Sequence, residues 1–311
     1  MPRKSFIAEI IPETPMKLDG RSVIGLYSTA RRAHEAGLAV LSAGSPYWVF
    51  PFEDNYALTV SNSQAAQLAE EVRIYRSKNH FWPPVPVSLP EKKISLIPTV
   101  AFATMLVAVF VFQGYFPKLD DLGMTSSVAF LEENAWWRLF TSMTLHKDIG
   151  HLVGNLFGIS LFGYFASRYL GNGLGWSNSV ACAALANLTN VLLHTNTIYL
   201  SLGASTAVFS ALGLVTGFPV GSYFRTGRPI TNRQWVIPFA GGLMLLGWMG
   251  SGTYPTDVAA HLWGFIYGLF SAILLAKMKI HAWVSKKGQL ILLGITWLIL
   301  GVTWFLAVNA T

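Results

Sequence analysis

The chain has 311 residues, a net charge of +7 and a composition that is 52% hydrophobic but only 12% charged. A soluble domain usually carries about a quarter charged residues, so the composition excludes a wholly soluble protein and favours a membrane protein. In a membrane protein a surplus of Lys and Arg is explained by control of topology, so we expect no nucleic-acid partner.

The charges are not evenly spread along the chain. Residues 1–93 carry Arg, Lys, Asp and Glu throughout, whereas from Ile94 onward the charges fall in short clusters between long apolar runs. This division predicts an N-terminal soluble domain over residues 1–90, followed by a membrane part. The first residues lack the apolar run of a secretory signal, so we expect the domain to stay on the side where it is made.

The N-terminal domain is predicted to be a small α/β accessory unit that ends in a stiff Pro-rich linker over residues 80–90. Ser61 or Ser63 is expected to cap its last helix. The expected elements are a helix over residues 21–36, strands over 38–41, 47–51 and 56–60, and a helix over 63–77.

Seven stretches of the remaining sequence approach the ~20 apolar residues that a membrane-spanning helix needs. They are residues 94–116, 149–170, 173–193, 203–224, 234–249, 256–277 and 289–308. The expected fold class is therefore an all-α polytopic membrane protein with seven spans and a small N-terminal α/β domain. Residues 91–280 form its predicted six-helix core, and residues 281–311 add a C-terminal transmembrane helix.

Basic residues order the spans across the membrane. If seven spans alternate, four basic clusters fall on one side, at residues 76–93, 168, 225–233 and 277–287, and the opposite loops carry few basic residues. Because basic loops stay in the cytoplasm, we expect a cytoplasmic N-terminus and a C-terminus outside. No transit peptide is visible, which favours a bacterial plasma membrane over an organelle.

Polar side chains inside predicted spans are costly in a bilayer and usually mark a function or a buried contact. The second span opens with His146, His151 and Asn155, of which the last two are four residues apart and share one helix face. Two such donors are suited to bind a developing oxyanion, and equally to make a polar contact between helices.

The fourth and sixth spans carry the other polar groups. Gly203 and Ser205 open the fourth span in the segment GASTA, which taken alone is typical of helix capping and close packing. His261 lies in the sixth span before Gly264 and Gly268, two glycines four residues apart that give a smooth helix face. Close packing on that face would bring the imidazole within the ~3 Å of a hydroxyl that general-base catalysis requires.

The three elements together predict a site for acyl transfer near the outer ends of these spans. One span provides anion donors, one a nucleophile and one a base. Asp257, one turn before His261, is expected to cap the helix rather than to complete a triad. The metalloprotease HExxH and aspartyl GxGD patterns are absent from the sequence, so we expect neither metal nor cofactor.

The order and spacing of these residues resemble the rhomboid family of intramembrane serine proteases, over about residues 94–277. A seventh span after the core resembles the six-plus-one subgroup. The matching patterns are H-x4-H-x3-N at His146, His151 and Asn155, G-x-S at Gly203 and Ser205, A-H-x-x-G-x-x-x-G at Ala260, His261, Gly264 and Gly268, and Trp-Arg at Trp137 and Arg138 in the first outer loop.

The resemblance implies a role for each matching residue. Ser205 would be the nucleophile and His261 its base, in a dyad without a carboxylate. His151, Asn155 and the Ser205 backbone N–H would bind the oxyanion. Phe209, one helical turn after Ser205, would stack on His261, at a place where family members often carry Tyr.

One position departs from the family pattern. The family often has Glu two residues before the Trp of Trp-Arg, and here that residue is Ala135. The anchoring of the first outer loop is therefore expected to differ, with Glu132 or Glu133 as its substitute.

The expected function is endoproteolysis of membrane proteins, single-span proteins among them, near the outer face of the lipid bilayer. A substrate helix hides its carbonyls in its own hydrogen bonds, so it must unwind, and we expect the short fifth span with Pro238 to move aside to admit it. Two alternatives stay open: an inactive rhomboid-like protein that binds membrane clients, and a transporter whose intramembrane His and Asn line a path.

Overall fold

The computed structural model describes residues 12, 14–18, 20–78, 89, 92–227, 230, 236–242, 244 and 257–310. The chain divides into two compact units, Met1–Val85 and Pro86–Thr311. The domain boundaries expected from the sequence at residues 90 and 280 stay predictions, and the predicted linker lies outside the described residues except for residue 89.

The first unit is a four-stranded antiparallel sheet with two helices packed against it. Its strands, in the spatial order β1-β2-β4-β3, enclose a core with the helices that includes Ile24, Leu58 and Leu68. The elements are β1 (Met16–Leu18), β2 (Arg21–Tyr27), α1 (Ala30–Ser42), β3 (Trp48–Phe52), β4 (Asn55–Ser61) and α2 (Ala65–Lys78).

Two elements predicted for this unit are wrong. The sequence predicts a helix over residues 21–36 and a strand over 38–41, whereas Arg21–Tyr27 is a strand and Ala30–Ser42 is a single helix. Val, Ile and Tyr favour the strand, and Thr29 starts the helix by accepting a hydrogen bond from the Arg32 backbone N–H. The other two strands and the last helix are confirmed, but Ser61 makes no capping hydrogen bond.

The second unit is a helical bundle. Among the described residues, five helices are long and apolar enough to cross a membrane, and they coincide with the first, second, fourth, sixth and seventh predicted spans. Apart from the helical residues 236–242 and 244, the described helices of this unit are α3 (Ile97–Tyr115), α4 (Lys118–Gly123), α5 (Ser127–Glu132), α6 (Arg138–Thr141), α7 (Ile149–Leu170), α8 (Asn172–Leu193), α9 (Ser205–Thr226), α10 (Val258–Lys277), α11 (Ile280–Trp283) and α12 (Lys286–Asn309). The chain is accordingly an integral, multi-pass membrane protein.

The third and fifth predicted spans are not among these five apolar helices. Helix α8 covers the third, but it is not one of the five apolar helices because several Asn and Ser residues lower its hydropathy. Of the fifth, only residues 236–242 and 244 are described, and these are helical, whereas the remainder lies outside the described residues. The count of seven spans stays a prediction.

Helix α9 is the central helix of the bundle. It is buried over most of its length and contacts α7, α8 and α10. The loop before it contains a short strand, β6 (Leu200–Ser201), which pairs antiparallel with β5 (Thr125–Ser126) from the loop between α3 and α7. These two loops therefore lie together at the N-terminal end of α9, where the predicted site residues are found.

Candidate active site

Ser205 is the first residue of α9 and is only 6% exposed. The chain reaches it through Gly203, which has φ +131°, a backbone conformation that favours glycine. The Gly203 N–H donates a 2.9 Å hydrogen bond to the Ser142 carbonyl. This hydrogen bond fixes the backbone before Ser205 to the segment that precedes α7.

The imidazole of His151 lies directly against Gly203. A Cβ atom at residue 203 would lie 2.6 Å from Cε1 of His151, 2.7 Å from its Nε2 and 3.6 Å from the Ser205 hydroxyl oxygen. Only a glycine leaves this space open. His151 is held at the N-terminus of α7, where Asp148 caps the helix by accepting from the His151 backbone N–H at 2.8 Å.

His261 lies in the first turn of α10 and is 3% exposed. Its ring stacks on Phe209, with centroids 4.6 Å apart and an interplanar angle of 17°. Phe209 follows Ser205 by one helical turn, so the stack holds the imidazole beside the start of α9. In the described part of the chain no hydrogen bond joins Ser205 to His261; in ligand-free enzymes such bonds are often long.

Glycines bring the helices of Ser205 and His261 into backbone contact. A Cβ at Gly264 would lie 2.7 Å from the Thr206 carbonyl oxygen, and one at Gly268 would overlap the Ser210 carbonyl. The contact is reciprocal along α9: the glycines there that face carbonyls of α10 are Gly213, Gly217 and Gly221. Sequence reasoning missed this second set, although its spacing of four residues is the same signal.

Asn155 is completely buried, one turn after His151 on α7. Within the described residues, neither its amide nitrogen nor its amide oxygen has a hydrogen-bond partner. Both ring nitrogens of buried His146 are likewise unpartnered there, and its ring meets that of His151 edge-on at 5.3 Å. An unsatisfied buried amide is costly, so the lack of a partner within the described residues sets Asn155 apart from an ordinary core residue.

Arg138 anchors the first loop in a different way from the one expected. Its guanidinium donates to the Met124 carbonyl at 3.2 Å, and its own carbonyl accepts from the Thr125 hydroxyl at 3.2 Å. Glu132 and Glu133 are exposed, and the described structure shows no hydrogen bond from Arg138 to either. The Met124 carbonyl, rather than either carboxylate, accepts the hydrogen bond that the Arg138 guanidinium donates.

Asp257 is the N-cap of α10. One carboxylate oxygen accepts from the Ala260 backbone N–H at 3.0 Å, and the other accepts from the Tyr199 hydroxyl. Burial, together with Asp257, raises the pKa of Tyr199, so the phenol keeps the proton that it donates. Sequence reasoning gave Asp257 the capping role but missed Tyr199.

Two comparisons with known proteins give matches for this chain. Residues 133–278 match the family model described as the Rhomboid domain, a stretch that contains His151, Asn155, Ser205 and His261. The chain is also 27% identical over 163 residues to the rhomboid protease GluP of Bacillus subtilis, a match that covers 52% of this chain and 31% of that protein. These findings support a rhomboid family protein.

Proposed function

We propose that this chain is a serine-type intramembrane endopeptidase in which Ser205 is the nucleophile and His261 the general base. The observation that carries the proposal is the convergence of three helix N-termini, with His151 beside Gly203 and Ser205, and His261 stacked next to the same helix. The similarity to a protein named as a rhomboid protease supports it.

The proposed reaction is a two-step acyl transfer. The Ser205 oxygen adds to the scissile carbonyl carbon while His261 takes the hydroxyl proton and then gives it to the departing amide nitrogen as the C–N bond breaks. Water hydrolyses the acyl-enzyme with His261 again as base. The Ser205 N–H, His151 and Asn155 would bind the oxyanion, aided by the positive end of the α9 dipole.

We place this chemistry near the outer face of a bacterial plasma membrane. The ends of α7, α9 and α10 away from the site carry Arg168, Arg225 and Lys277 in their last turns. Basic ends stay in the cytoplasm, so the site end faces outward. With seven spans, the N-terminal unit is a cytoplasmic accessory domain and the C-terminus lies outside.

The substrates we propose are membrane proteins, single-span proteins among them. A helix in lipid keeps its carbonyls in internal hydrogen bonds, so a peptide bond becomes available only where the helix unwinds. Substrates should therefore carry Gly, Ala, Ser or Pro near the outer end of a span, where they meet Ser205 at the N-terminal end of α9.

Asn155→Ala is expected to lower kcat by about 10²- to 10³-fold, the effect of removing one oxyanion donor. The free energy of unfolding should change little, because the amide has no partner to lose within the described residues. Asn178→Ala is the matched control: it removes the 2.7 Å hydrogen bond that the Asn178 amide oxygen accepts from the Ser271 hydroxyl, and it should lower stability without changing kcat. Equal kcat for both variants would remove Asn155 from the site.

Asp257→Asn is expected to leave turnover within a few-fold of wild type, because Asn caps a helix as well as Asp does. A carboxylate that orients the base would instead cost about 10⁴-fold in kcat on the same substitution. Turnover of the purified variant separates the two roles, and a loss of that size would make Asp257 a triad member.

The experiment that tests the proposed function is cleavage of a single-span reporter protein in membranes. Wild type should release a fragment cut near the outer end of the reporter span, and Ser205→Ala, expressed to the same level, should release none. Cleavage by Ser205→Ala would exclude Ser205 as nucleophile. Reporter that is bound but intact across a panel of spans would favour the inactive, client-binding alternative.

A further inference from the structure

Helix α12, which lies outside the part of the chain matched by the family model, reaches the candidate site through Trp304. The indole N–H of Trp304 donates a 3.0 Å hydrogen bond to the Thr144 hydroxyl oxygen. The ring also fills the space above Gly123, where a Cβ would lie 2.8 Å from Trp304 Cη2. Thr144 itself donates to the Thr141 carbonyl at 2.7 Å, so its hydroxyl proton is used and its lone pair receives the indole.

Thr144 ends a buried 3₁₀ turn, Ser142–Thr144, that leads to the site. The Ser142 carbonyl accepts the Gly203 N–H at 2.9 Å. The Ser142 hydroxyl oxygen is held in turn, at 2.7 Å from the Thr125 hydroxyl and at 3.3 Å from the Asn187 amide. A displacement of this turn would therefore move Gly203 and the backbone N–H of Ser205 that follows it.

The other end of α12 is fixed to the bundle as well. Gln289 donates to the Leu170 carbonyl at 3.0 Å and accepts from the Leu174 backbone N–H at 2.8 Å, so it joins the end of α7 to the start of α8. Between its ends, α12 packs on α8 and α6. A helix held at both ends and along its side moves little, so it can keep Trp304 in a fixed position.

We propose that Trp304 is a positioning residue, which holds the Ser142–Thr144 turn and through it the oxyanion-binding backbone at Gly203 and Ser205. The proposal rests on the proposed function. It gives the C-terminal helix a part in the chemistry, although none of its residues contacts the reacting atoms. The hydrogen bond, rather than the bulk of the ring alone, carries the effect.

The test uses the 311-residue chain in detergent and a fluorophosphonate, a small probe that reacts with an activated serine. The maximal labelling rate of Ser205 and the half-saturating probe concentration are measured per folded molecule, with the folded fraction taken from size-exclusion chromatography. The variants are Trp304→Phe, Thr144→Val, their combination and Thr144→Ser, which keeps the hydroxyl. Trp297→Phe is the matched control. It removes another half-buried indole of α12, one that packs on Phe102 of α3.

The expected result is a maximal rate about five- to tenfold lower in Trp304→Phe and in Thr144→Val, the scale of one lost hydrogen bond, with half-saturation unchanged. The double variant should be no slower than the slower single variant, and Thr144→Ser and Trp297→Phe should label at the wild-type rate. Equal rates for Trp304→Phe and Trp297→Phe, or losses that multiply in the double variant, would contradict the positioning role of Trp304. Labelling of Ser205 in wild type would in that case still support the proposed function. Absence of labelling in wild type would overturn both.

Discussion

Replacing His261 by alanine is expected to lower the turnover of a cleaved substrate by at least about 10³-fold, because the variant lacks the proposed base of the Ser205 hydroxyl. Ser205→Ala should cost as much, and the double variant should be no worse than either single one, since the two residues act as a unit. Turnover of the single-span reporter by purified protein gives the three values.

His281 provides a matched control for this variant. It is also a buried histidine in ring contact with a phenylalanine, Phe218, but it lies in α11, beyond the C-terminal end of α10. His281→Ala should lower stability and leave kcat near the wild-type value. If His281→Ala loses as much turnover as His261→Ala, the loss reports damage to the bundle and not removal of a base.

Gly268→Leu is expected to lower turnover by at least about 10²-fold, because it separates the helices that carry Ser205 and His261. A side chain at residue 268 would overlap the Ser210 carbonyl, so α10 must move away from α9. Overpacking of this kind costs about 1–3 kcal/mol of stability, and a displacement of ~1 Å at a catalytic group costs about 10²-fold in rate. Turnover and resistance to unfolding by denaturing detergent measure the two effects.

Gly301→Leu on α12 is the control for that substitution. Gly301 is exposed, and a Cβ built there meets nothing within 4 Å. The variant adds the same side chain to a membrane helix and should retain both stability and turnover. A Gly268→Leu protein with wild-type turnover would show that close contact of α9 and α10 is not needed to place the base.

The bundle was largely predictable because apolar length is a strong local signal. Five predicted spans coincide with apolar helices, and the motif residues of α7, α9 and α10 fall on the helix ends that the spacing indicated. The N-terminal unit was less predictable. Residues 21–42 mix Val, Ile and Tyr with helix-forming Ala and Leu, and only the pairing of β2 with β4 decides where the strand ends and the helix begins.

The supporting contacts of the site had no signal in the sequence. Tyr199 meets Asp257 across 58 residues, and Trp304 meets Thr144 across 160. A hydrogen bond between residues so far apart leaves no periodicity or motif, because either partner alone reads as an ordinary loop or helix residue. The partner of Arg138 is the Met124 backbone carbonyl and not a glutamate, and this contact was not predicted either. Every residue has a backbone carbonyl, so the sequence does not single out Met124.

The site of fluorophosphonate labelling shows whether Ser205 is activated by His261. The purified protein is labelled and digested, and the modified peptide is identified by mass spectrometry in wild type and in His261→Ala. We expect one modified residue, Ser205, in wild type, and labelling of Ser205 slowed by at least about 10²-fold in His261→Ala. Modification of another serine, or a Ser205 labelling rate that is unchanged by His261→Ala, would contradict this expectation.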